Sequence, residues 1–134
     1  MRNANNLKKT YEKYNGESMA EKKEADNEGL NAKEIEKPLK RLKRSLTIDN
    51  LWLYILSLLK KKEMHAYVIL AEMEKRYGWK PGLVTPYVVL YKLEEEGYIV
   101  GYDKERRRYY KITEKGRKAL STGKREIIKL ARIL

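Results

Sequence analysis

The residues most able to do chemistry in this 134-residue sequence are cations, and they are concentrated near the C-terminal end. Residues 103–134 hold 12 Lys or Arg against 4 Asp or Glu, while residues 45–102 balance 7 against 7 and residues 1–44 hold 12 against 8. The densest run is Lys104, Arg106, Arg107, Arg108 and Lys111, with the acids Asp103 and Glu105 beside it. Three adjacent guanidinium groups repel one another and contribute nothing to a core, so their natural use is to meet phosphates. The formal net charge of +12 makes polyanions the expected partners, nucleic acid first and an anionic membrane surface second.

Other chemistries are poorly supplied. With no cysteine and a single histidine, His65, the sequence offers no thiolate, no His-rich zinc site and no Ser/His or Cys/His nucleophile pair. A glycine-rich phosphate loop is missing, and Glu94-Glu95-Glu96 reads as an exposed helix end. The expectation is a protein without catalytic residues, metal or cofactor. No apolar run of membrane-spanning length and no secretory h-region occurs, which points to a cytoplasmic protein without membrane contact.

The elements that position the cations follow from periodicity. Residues 1–37 are Asn, Lys, Glu and Gly with isolated apolar side chains, too few to offset ordering entropy, and read as a flexible charged arm. Pro38 opens a short basic segment to Arg44 with Leu39 and Leu42 on one face. Thr47 or Asp49 is placed to cap a dense apolar helix containing Leu51, Trp52, Ile55, Leu56, Leu58 and Leu59. A second helix over 65–76 places Tyr67 or Val68, Leu70 or Ala71, and Met73 on one stripe. In a third, Thr85 caps, Pro86 opens, and Val89, Leu90 and Leu93 point inward. Two β-rich runs, 98–102 and 107–112, form a hairpin around a polar tip, and Thr113 caps a last helix with Gly123 as a bend.

Three helices, a basic hairpin and a final helix make a mainly α fold with a small β-hairpin, the winged helix-turn-helix. Its expected parts are the arm at 1–37, a DNA-binding domain at 38–120 and a dimerisation helix at 121–134. The outward face of the third helix is Tyr87, Val88, Tyr91 and Lys92, with Thr85 at its start. These residues, with Lys104, Arg106, Arg107, Arg108 and Lys111, are the candidate contacts to double-stranded DNA. Ile127, Leu130, Ala131 and Leu134 recur at helical spacing beyond the reach of a small core and are the candidate homodimer contacts. The rival readings are a protein–protein module whose basic surface meets an acidic partner, and an RNA or single-strand binder. His65 is assigned packing or capping only, and Trp52 and Trp79 are read as core or interface aromatics.

The segments 51–59, 64–67, 85–99 and 107–116 (from Thr85-Pro86-Tyr87 to Glu96-Gly97-Tyr98-Ile99 in the third helix) occur in an order and spacing that resembles the PadR-like transcription regulators, particularly short archaeal-like members. The resemblance covers roughly residues 46–120. It implies a dimeric winged-helix repressor or activator, with the C-terminal helix dimerising and in some members a small-molecule effector at the interface. The chain departs from the family at Ala66, commonly Gly, and in a short C-terminal helix without Trp, which argues against an aromatic drug pocket.

Overall fold

The computed structural model describes residues 32–134, so the expectation for residues 1–31 lies outside it. The described residues fall into two compact units, 32–50 with 74–79 and 51–73 with 80–134.

In the first unit, helix α1 (Ala32–Ser45) begins six residues ahead of Pro38 and carries the proline inside it. Proline there removes the N–H that would bond to the Glu34 carbonyl, a loss that an exposed helix absorbs because water satisfies the freed oxygen. Residues 32–37, expected in the arm, are therefore helical. Thr47 and Asp49 serve α1 instead of capping the following helix. The Thr47 hydroxyl donates to the Lys43 carbonyl at 2.7 Å, and Asp49 pairs with Arg44 at 3.2 Å. A single 3-10 turn (Ile48–Asn50) follows, with the Asn50 amide donating to the Ser45 carbonyl.

The second unit begins at α2 (Leu51–Lys61), whose Leu51, Ile55, Leu56, Leu58 and Leu59 are all buried, so an apolar density too high for a one-sided stripe makes this the central helix. A two-residue strand β1 (Met64–His65) leads into α3 (Ala66–Tyr77). The buried stripe of α3 is Ile69 with Met73, four residues apart, while Tyr67 and Ala71 face solvent and Val68 and Leu70 are half-buried. Burial of Ile69 is the correction to the expected stripe: Ile69 and Met73, at i and i+4, share the inward face, and Val68 and Leu70 lie to either side of it.

Helix α4 (Thr85–Glu95) buries Pro86, Leu90 and Leu93, with Val89 half-buried. Val84 is the cap residue, and no side chain bonds to the helix start, so Thr85 is the first helical residue and not the cap. The end is specified by Gly97 at φ 81°, which any side chain would strain. Its N–H bonds to the Glu94 carbonyl and that of Tyr98 to the Leu93 carbonyl, the paired bonds of a Schellman stop.

The wing consists of β2 (Ile99–Lys104) and β3 (Arg107–Ile112); β3 has its expected bounds while β2 runs two residues past its expected end, leaving only Glu105 and Arg106 as the tip. Both tip residues have positive φ, 52° and 63°, the pattern of a type I′ turn. Because neither is Gly or Asn, the double substitution Glu105→Asn with Arg106→Gly should raise unfolding stability by about 1 kcal/mol, checked by denaturant titration. β1 adds to the far edge of β3, giving an antiparallel three-stranded sheet in the order β1-β3-β2. The sheet is therefore wider than the expected hairpin by one strand, in which His65 lies opposite Tyr109.

Helix α5 (Glu114–Ile133) starts as expected at Thr113, whose hydroxyl accepts the Gly116 N–H at 3.1 Å and donates to the Gly97 carbonyl at 2.7 Å. It runs unbroken through both residue 121 and Gly123. Gly123 marks not a bend but a close approach to α2, since an added Cβ would stand 2.9 Å from both Leu53 Cδ2 and Trp52 Cη2.

Candidate nucleic-acid interface

The α4 surface behaves as its 3.6-residue period demands. With Leu90 and Leu93 inside, Tyr87 is 51 % exposed, Val88 45 % and Tyr91 67 %, and Thr85 and Lys92 are also exposed. Leu83 and Val84, just ahead of the helix, are exposed at 79 % and 73 % and were not singled out from sequence, because a loop has no period to reveal them. The uncapped first turn leaves the positive end of the helix dipole facing outward on the same side as Thr85.

Strand alternation and register divide the wing cations. One face of β2 and β3 carries the cross-strand pairs Lys104 with Arg107, Tyr102 with Tyr109, and Val100 with Lys111. The other face carries Ile99, Tyr110 and Ile112 into the core. Arg108 lies on this second face, directed at α4: its guanidinium donates to Glu94 at 2.5 Å and to Asp103 at 3.4 Å. Those bonds, led by Glu94, raise the Arg108 pKa above its already high ordinary value. Burial, foremost, raises that of the neighbouring Tyr110 phenol. Arg107 and Arg108, equivalent in the sequence, thus have different roles available to them. Arg107 is exposed, with its guanidinium 3.3 Å from the His65 ring, while Arg108 ties the wing to α4. Lys104, Arg106 and Lys111 are exposed as well.

The Arg108 tie explains a feature that charge counting hid. Glu94 is no free acid on α4, and neutralising it should matter. We expect Glu94→Gln to lower the unfolding midpoint slightly and to strengthen duplex binding a few-fold by releasing a cation near the phosphates, read by thermal melting and by fluorescence anisotropy.

Around His65 the sheet gathers aromatic rings. His65 packs edge-on against Tyr109 at 5.3 Å and stacks with Tyr67 at 6.4 Å, and Tyr109 stacks with Tyr102 at 5.8 Å. The Tyr102 hydroxyl donates to Glu63, and that bond, foremost, raises its pKa. His65 fills the packing role expected of it, in a strand instead of a helix start. Trp52 lines a half-open cleft of about 320 Å³ together with Val89, Leu93, Tyr98 and Ala119. Among the described residues no group of His, Cys, Asp or Glu is arranged to hold a metal, and no helix is long and apolar enough to cross a membrane.

The expected dimer residues sit at the far end of α5. Ile127, Leu130, Ala131 and Leu134 are all exposed, with Ile128 and Ile133 beside them, so large apolar side chains at this helix end are left uncovered by the described residues.

Residues 55–122, just over half of the chain, match the model of the transcriptional regulator PadR-like family. The chain belongs to the PadR-like family of transcriptional regulators. Among solved structures it is similar to a transcriptional regulator from Clostridium thermocellum, at 29 % identity and a TM-score of 0.57, covering 61 % of this chain and 86 % of that one. A PadR family transcription regulator from Clostridium difficile is similar at 26 % identity and a TM-score of 0.56, covering 61 % and 91 %. No curated protein gives a significant match. As a PadR-like regulator the protein is a DNA-binding transcription regulator of the winged-helix class.

Proposed function

We propose that this PadR-like protein is a homodimeric, sequence-specific repressor with no catalytic role, which sets the N-terminal half of α4 into the major groove and the wing against the backbone. The observation that carries the reading is the outward face of α4, where Tyr87, Val88 and Tyr91 are exposed beside a cationic wing held to the same helix by Arg108 and Glu94. Val88 and the two tyrosines suit thymine methyls, sugars and phosphates, whereas Glu95 and Glu96 at the other end of α4 would be repelled. Lys104, Arg106, Arg107 and Lys111 supply phosphate contacts, with Thr85 and Lys92 flanking the groove contacts; Arg108 acts chiefly by fixing the wing's angle.

Pairing through Ile127, Leu130, Ala131 and Leu134 covers the apolar stripe of α5. It places two recognition helices about one DNA turn apart, roughly 34 Å, and requires a palindromic site. Selection of bound sequences from a random duplex pool tests the reading: a two-fold symmetric consensus supports it. On that consensus, Tyr91→Ala should change base preference at one or two positions per half-site, while Arg107→Ala weakens every sequence alike. Recovery of no enriched duplex, with retention of acidic protein instead, would favour the interaction-module reading.

A further inference from the structure

The approach to α4 and its first two turns carry almost no group that can identify a base by hydrogen bonding. From Pro81 to Tyr91 there is no Arg, Lys, His, Asn, Gln, Ser, Asp or Glu. Guanine is ordinarily identified by an Arg or Lys at its O6 and N7, adenine by an Asn or Gln at its N6 and N7, and cytosine by a carboxylate accepting from its N4 amine. None of these stands ahead of Lys92, and the Thr85 hydroxyl and two phenols both donate and accept, so they favour no one base. What the segment exposes is apolar: Leu83, Val84, Tyr87, Val88 and Tyr91. Val84 is already in helical conformation at the cap, so Val84, Val88 and Tyr91 stand at i, i+4 and i+7 on one face, with Leu83 and Tyr87 alongside. Leu90 and Leu93 fill the core from the opposite face, and the fold has no need of these five side chains. Exposed apolar residues scattered singly are ordinary, but neighbouring ones gathered at one helix end mark a surface that is covered in use.

Resting on the reading of α4 as the helix that enters the major groove, we infer that the protein selects its operator by the 5-methyl groups of thymine, with Val84 and Val88 as the specificity-determining residues and Leu83 extending their apolar surface. The thymine methyl is the one apolar group that a base pair shows in the major groove, and covering it with a valine removes apolar area from water on both partners. Each half-site is then rich in thymine where the first turns of α4 meet it. Double-stranded RNA is excluded twice, because uracil lacks the methyl and the RNA major groove is too deep and narrow for a helix. An apolar protein partner would also cover these side chains. The wing that Arg108 ties to α4 through Glu94 carries exposed Lys104, Arg107 and Lys111, and that charge favours a polyanion.

The test uses the full chain and the duplex enriched from a random pool, with each thymine replaced in turn by deoxyuridine, a change that removes only the methyl. Affinity is read by fluorescence anisotropy. At one or more thymines of each half-site the replacement should weaken binding about fourfold, while thymines outside the half-sites are indifferent to it. A C·G pair placed at a sensitive position should also bind more weakly, and 5-methylcytosine, which carries its methyl on the same ring carbon, should recover part of that loss. Val84→Ala and Val88→Ala should each shrink the uridine penalty at the thymine they meet to within about twofold, the coupling expected of a direct contact. Both side chains are exposed, so the fold does not depend on them. The inference is overturned by indifference to uridine at every thymine, by a penalty undiminished in both variants, or by half-sites without thymine. In each of those cases the surviving duplex binding leaves the regulator reading intact, whereas failure to enrich any duplex overturns both.

Discussion

Replacing Ile127 and Leu130 together by Asp is expected to convert the protein to a monomer and to lower operator affinity by about 100-fold or more. Both side chains are roughly half exposed on a helix end that the described residues leave uncovered, so the monomer should lose nothing from its core. In the proposed homodimer the loss arises because the second half-site is bound as an intramolecular event. Linking two recognition units commonly raises affinity by about 10²–10⁴, and that factor disappears when the link is cut. Two carboxylates facing two carboxylates across the symmetry axis make the interface repulsive. Sedimentation velocity reports the oligomeric state and anisotropy the affinity. A variant that remains dimeric, or a monomeric one that binds the full site undiminished, would show that α5 does not pair the protomers.

The second large effect is on stability. Gly116→Ala is expected to destabilise the fold by about 2 kcal/mol, even though the residue lies in a helix where Ala is intrinsically favoured by about 1 kcal/mol. The reversal follows from position: Gly116 is buried in the first turn of α5, and an added Cβ collides with the Tyr98 carbonyl and stands 2.8 Å from Ile112 Cγ1. A backbone oxygen cannot rotate aside as a side chain can, so α5 must lift from the sheet. For a domain of this size the change corresponds to roughly a 10 °C fall in melting temperature. Gly123→Ala in the same helix is the control. Its added Cβ meets only the ends of Leu53 and Trp52, which can shift, so the cost should stay under about 1 kcal/mol. Equal losses at the two positions would show that the contact with the sheet edge is not what Gly116 protects.

How far the sequence revealed this molecule depended on whether a residue belonged to a periodic segment. The inward Leu90 and Leu93 and outward Tyr87, Val88 and Tyr91 of α4 follow from a 3.6-residue repeat, and the division of Arg107 and Lys111 from Tyr110 and Ile112 follows from a two-residue one. Thr113 was legible because a cap is a local signal. β1 was not, since two residues carry no period, and with it went the packing of His65 against Tyr109. The Arg108–Glu94 pair joins residues 14 apart across a stop and a turn, a contact that only the folded register creates. Pro38 misled in a different way: a proline suits a first turn, yet an exposed helix accepts it further in, and α1 begins at Ala32.

The family gives this protein its class, but the docking surface described above rests on where its cations and rings lie. The most direct test is the salt dependence of binding to the selected duplex, compared between the wild type and the Lys104→Ala, Arg107→Ala, Lys111→Ala variant. A dimer using Lys92, Lys104, Arg106, Arg107 and Lys111 from each protomer should give a log–log slope of about −9, reduced to about −4 when three cations per protomer are removed. A slope that stays the same in the variant, or binding indifferent to salt in both, would contradict the assignment of this surface to DNA.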